Sequence, residues 1–117
     1  MEKKIMVNGV ELEFDILELE NAEKYERARS KVVRKCEEFQ RIDRNSASLT
    51  WVIKTTCKAV FEFFDAIFGE GTAKQIFGGH TNMGECLNAF FDFDRQAASR
   101  IKEFGNGINI PASPVKK

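Results

Sequence analysis

Leu49-Thr-Trp-Val-Ile-Lys-Thr-Thr-Cys-Lys-Ala-Val-Phe-Glu-Phe-Phe-Asp-Ala-Ile-Phe68, followed by Gly69, decides the fold. At 100° per residue, Ile53, Cys57, Val60, Phe61, Phe63, Phe64, Ile67 and Phe68 fall within an arc of roughly 160°. No other segment has so wide an apolar face. The stretch therefore predicts a helix at the centre of the core, stopped by Gly69 as its C′ residue. Trp51 falls with Lys54, Lys58 and Glu62 on the opposite face. It is either an interface anchor or a ring covered by the hairpin or the connector preceding this helix.

Upstream, Asp43-Arg-Asn-Ser-Ala-Ser48 is a polar connector. Before it, Tyr25, Ala28, Val32, Cys36 and Phe39 recur every three or four residues, predicting a helix over 22–43 with Asn21 as N-cap. Its stripe is narrow and the rest of its surface is charged, which suits a packing seam. Further upstream, Ile5 and Val7, then Asn8-Gly9, then Val10, Leu12 and Phe14 spell a hairpin. Asn-Gly favours a type I′ turn, and that register pairs Val7 with Val10 and Ile5 with Leu12. All five apolar side chains then share one face, which must pack on helices or on another subunit.

Downstream, Thr72 caps a short helix over 73–77 that Gly78-Gly79 stops. Asn82-Met-Gly-Glu85 has capping-box spacing and opens a helix over 83–104. Met83, Cys86, Leu87, Phe90, Phe93, Ala97, Ile101 and Phe104 form its stripe. Asp94 lies inside that arc and needs a partner such as an arginine of the first helix, unless this edge meets solvent or a polar groove between subunits. Phe91 widens the apolar surface at the same edge. The expected fold is mainly α, an N-terminal β-hairpin (1–16) followed by a helical bundle of three long helices and one short one (17–104). Hairpin and bundle form a single domain, and a flexible tail (105–117) follows.

The chain has 117 residues and a mass of 13.3 kDa. Surface scaling gives about 6,400 Å² folded against about 19,000 Å² unfolded, enough for one core. Eighteen basic and 18 acidic residues cancel, so no global field draws the chain to nucleic acid or an anionic membrane. No stretch approaches the roughly 18 apolar residues that span a bilayer, and the start lacks the apolar run of a signal peptide. Cys36, Cys57 and Cys86 are odd in number and form no CxxC pair, which argues for reduced, buried thiols in a cytoplasm.

Catalytic and cofactor signatures are absent from the pattern. Gly69-Glu-Gly-Thr72 with Gly78-Gly79 matches neither a Walker loop nor a dinucleotide loop, and no strand precedes it. His80 stands alone in a turn, and Asp92 and Asp94 lie too close in sequence to share a helix face. We therefore expect no enzyme, no metal and no cofactor. Arg27, Lys31, Arg34 and Lys35 form a basic face that would serve a nucleic-acid partner. However, Glu23, Glu26, Glu37 and Glu38 dilute it, and a solvated face is favoured. Eleven phenylalanines, with Trp51, Phe91 and the hairpin face, exceed what one small core hides. The expectation is therefore a homo-oligomer or a binder of apolar protein segments, with Trp51, Phe91, Asp94, Tyr25 and Val32 at the contact.

Asn8-Gly-Val-Glu-Leu-Glu-Phe14 with Ala22-Glu-Lys-Tyr25, then Phe64-Asp-Ala-Ile-Phe-Gly-Glu-Gly-Thr-Ala73 with Phe77-Gly-Gly79, resembles a family of small phage and prophage proteins of Gram-positive bacteria. The likeness continues through Asn82 and Cys86-Leu-Asn-Ala-Phe-Phe-Asp-Phe93, covering roughly residues 7–95. Its members are similar in size and helical make-up to tail assembly chaperones, which coat the tape-measure protein until the tail tube polymerises. The resemblance implies a morphogenesis factor in the bacterial host cytoplasm, with the tape-measure or tail-tube protein as partner. It supplies no catalytic residues. A nucleic-acid-associated phage protein using the basic face is the alternative.

Overall fold

The computed structural model describes residues 4–41 and 48–108. Over these the chain runs β1 (Lys4–Val7), β2 (Val10–Glu13), α1 (Leu19–Arg41), α2 (Leu49–Phe68), α3 (Thr72–Phe77) and α4 (Met83–Ile108). This is the expected mainly helical architecture, a two-stranded antiparallel hairpin followed by three long helices and one short one. The expected connector at 43–47 and the tail beyond 108 lie outside the described residues.

The hairpin has the expected register, Val7 opposite Val10 and Ile5 opposite Leu12. Asn8 and Gly9 both take positive φ, 50° and 79°, as a type I′ turn requires. Ile5, Val7, Leu12 and Phe14 are buried on one face, and Val10 packs against the same core. The cover comes from the chain itself. Asn8 Nδ2 donates to the Ile76 carbonyl at 2.9 Å, tying the turn to α3. Along the strand, Gln96 Nε2 donates to the Met6 carbonyl and Arg100 to the Lys4 carbonyl. Two side chains of α4 thus serve the edge of β1 that β2 leaves open.

Helix α1 begins at Leu19, three residues before the expected start, and Asn21 is not its cap. Asp15 closes the preceding turn, its carboxylate accepting from Leu17 N and its carbonyl from Glu18 N. The Asn21 amide donates back to the same carbonyl. With the turn closed upstream, Asn21 is left inside the helix. α2 matches its expected bounds, and Ser48 caps it by accepting from Trp51 N. α3 departs in detail, since its N-cap is Gly71 and Thr72 is already helical. Its real cap comes from α2, where Asp65 Oδ1 accepts from Ala73 N at 2.8 Å. α4 opens at Asn82, whose side chain accepts from Glu85 N, and it runs past Gly105 to Ile108. The tail expected from 105 therefore starts no earlier than 109.

The core lies where α2 meets α4, the hairpin and the flank of α1. Phe93 is fully buried and meets the rings of Phe14, Tyr25, Phe63, Phe64 and Phe68 at 5.3–5.9 Å between centroids. Most of these contacts are edge-on, the geometry the ring quadrupole favours. Cys57 and Cys86 are buried in the same core as free thiols.

Candidate interaction surface

Helix α1 presents two flanks with different chemistry. On one, Tyr25 and Arg29 stand one turn apart and meet Asp94 of α4. Arg29 Nε donates to Asp94 Oδ1 at 2.8 Å, and the Tyr25 hydroxyl donates to the same oxygen. Burial first, then the bond to Asp94 and its negative charge, push the Tyr25 phenol well above its usual value near 10. The Asp94 bond likewise raises the Arg29 guanidinium, although burial opposes it. The arginine partner expected for Asp94 from the first helix is present. Tyr25 is half-buried against Phe14, Phe63 and Phe93. Both residues expected at a partner contact are thus engaged inside the monomer.

On the other flank α1 and α2 enclose a groove of about 630 Å³. Lys24, Arg27, Lys31, Arg34 and Lys35 of α1 line it, with Glu38 at one end and Glu62 across from them. Its remaining lining is apolar, from Ala28, Ala59, Phe63 and Ala66. Spacings of three and four place the cations on one helical face, and small alanines let a visiting chain approach closely. Lys35 pairs with Glu38 at 3.5 Å, and Lys24 with Glu20 at 3.9 Å. Arg27, Lys31 and Arg34 form no ion pair among the described residues. All four basic positions singled out in the sequence thus meet in one cleft, whereas its α2 wall depends on helix pairing that no motif announces.

The apolar candidates divide. Val32 is 2% exposed, covered in the core, so the stripe of α1 is a seam within the chain and not a partner surface. Trp51 is 47% exposed and stands edge-on to Phe39 of α1, with ring centroids 5.7 Å apart. The hairpin does not cover it. Phe91 is 56% exposed and leans on Phe90. Leu19 and Leu49 are more exposed still, at 72% and 73%.

Among the thiols, burial and then a hydrogen bond with Cys57 push Cys86 up to about 12. Burial also raises Cys36. Such thiols are inert rather than nucleophilic at neutral pH. Among the described residues, no three His, Cys, Asp or Glu side chains gather as a metal site would require. No described helix is long and apolar enough to cross a membrane.

No curated protein and no solved structure matches the chain. A family model does match, over residues 8–110, which reaches beyond the 7–95 stretch carrying the resemblance and takes in the last turns of α4. With nearly the whole chain spanned, the protein belongs to the family of unknown function DUF6673.

Proposed function

We propose that the protein works by holding other polypeptides rather than by catalysis, as a phage or prophage morphogenesis factor of the tail-assembly-chaperone kind in the host cytoplasm. One observation carries the reading: large apolar side chains stay exposed after the chain has folded, with Trp51 and Phe91 about half exposed at two places on the bundle. Burying such rings against a partner's apolar segment yields about 25 cal/mol per Å² covered. The resemblance to small phage proteins supplies the partner class, a tape-measure or tail-tube protein. Co-expression tests this. A phage tape-measure fragment that aggregates alone stays in solution with the wild type and precipitates with Trp51→Ser plus Phe91→Ser. Equal recovery with both forms overturns the reading.

The second reading, nucleic-acid binding, is favoured by the gathering of Arg27, Lys31, Arg34 and Lys35 in one cleft. Glu38 and Glu62 in the same cleft weaken its field. A salt-sensitive shift of DNA or RNA that Arg34→Glu with Lys35→Glu removes would promote it.

A further inference from the structure

The groove has a counterpart on the same chain. Residues 27–35 carry Arg27, Arg29, Lys31, Arg34 and Lys35 and no acid, whereas residues 11–26 carry seven acids and only Lys24. Of those acids Glu11, paired with Lys4, is exposed, and so are Glu13, Glu18, Glu20, Glu23 and Glu26. Apart from Glu20, which meets Lys24, the last five form no ion pair among the described residues. The acidic stretch is not wholly polar, because Leu17 and Leu19 stand out from it between the glutamates.

We infer that the α1–α2 groove of one copy receives the acidic stretch 17–26 of a second copy of this chain. The match is twofold. Glutamates at 18, 20 and 23 face Arg27, Lys31 and Arg34, the cations without an ion pair among the described residues, and Leu17 or Leu19 settles on the alanine floor. Both surfaces are exposed in the monomer, and the groove keeps five cations against Glu38 and Glu62, so each surface favours the other over its own kind. The inference rests on the reading that this chain binds polypeptides, and it names the first of them.

Light scattering after size exclusion tests it. At about 50 mM NaCl the wild type runs at twice 13.3 kDa or more, and at about 500 mM its association weakens ~10-fold or more, as exposed charge pairs are screened. Two variants sharpen the test: Arg27→Glu, Lys31→Glu, Arg34→Glu in the groove, and Glu18→Lys, Glu20→Lys, Glu23→Lys in the stretch. Each alone runs as a monomer with wild-type circular dichroism. Mixing them restores the assembly, which misfolded chains do not do. A wild-type monomer at about 50 mM salt overturns the inference, and so does persistent assembly of either variant or a mixture that stays monomeric. A monomer that still holds the tape-measure fragment in solution removes only the self-contact. An oligomer that fails to hold it removes only the chaperone reading.

Discussion

Asp94 and Arg29 form an ion pair 65 positions apart in sequence, and the carboxylate oxygen that accepts from the guanidinium also accepts from the Tyr25 hydroxyl. The pair fixes how α4 leans on the first half of α1. It lies at the edge of the core, where the Asp94 side chain keeps 23% of its exposure.

Asp94→Ala should therefore destabilise the fold by about 1–2 kcal/mol, the cost of leaving the half-buried Tyr25 hydroxyl without an acceptor, while water takes the carboxylate's place at the exposed Arg29 guanidinium. Tyr25→Phe removes one donor cleanly and should cost about 1 kcal/mol. Urea denaturation of the single and double variants measures the coupling. We expect it to lie between about 0.5 and 2 kcal/mol, and strict additivity would show that the two residues do not act together.

Stability should decline in alkali. Tyr25 and Cys86 both hold their protons more tightly in the folded chain, and burial is the leading cause for each. Between the unfolded and folded values the unfolded chain has released a proton that the folded chain keeps. The contribution is complete below the unfolded value and is lost as the pH climbs. For Cys86 the window opens near 9 and closes near about 12, and for Tyr25 it opens near 10. The urea midpoint should fall between pH 9 and about pH 11, and fall less in Cys86→Ala and in Tyr25→Phe. An unchanged slope in both variants contradicts the assignment.

Asp65 caps a helix to which it does not belong. Its carboxylate accepts from Ala73 N, while its carbonyl accepts from Gly69 N at the end of α2. Asp65→Ala should cost about 1 kcal/mol, the usual value of a lost N-cap, and Asp65→Asn distinctly less because an acceptor oxygen remains. Thermal melting ranks the three proteins, and an alanine variant as stable as wild type refutes the capping role.

Thr56 is buried, and its hydroxyl has no hydrogen-bond partner among the described residues. Thr56→Val keeps the branched shape and removes the orphan oxygen. It should leave the fold as stable as before or raise stability by about 1 kcal/mol. A loss beyond 1 kcal/mol by urea titration would reveal a partner for the hydroxyl.

The parts of the fold legible in the sequence are those in which local chemistry and period agree. Asn8-Gly9 and the alternation from Ile5 to Phe14 set turn, face and register together, and the eight apolar positions of α2 leave its inward side in no doubt. Helix ends read less well. Asn21 is a good N-cap residue, but Asp15 closes the turn first and α1 starts earlier. Gly105 and Gly107 are poor helix formers, by ~1 kcal/mol each, yet α4 continues through them. Gly105 is buried and Arg100 ties the preceding turn to β1, so tertiary contact outweighs propensity. The candidate surface was half legible. Arg27, Lys31, Arg34 and Lys35 announce themselves by spacing, whereas Ala59, Glu62 and Ala66 become groove residues only because α2 lies beside α1. Val32 was misassigned because a narrow apolar stripe looks the same whether a partner or a neighbouring helix covers it.

The tie between Lys4 and Arg100 also bears on how the chain is made. The two residues are 96 positions apart. At about 5–20 residues per second, the ribosome adds Arg100 roughly 5–20 s after Lys4. During that interval the hairpin is synthesised but lacks the α4 side chains that dress its outer strand. It is made well before α4 and is secured only when α4 arrives, so a nascent chain stalled before residue 96 carries a naked β-edge. Lys4 puts an exposed charge on that strand, a feature that keeps an unfinished edge from recruiting another.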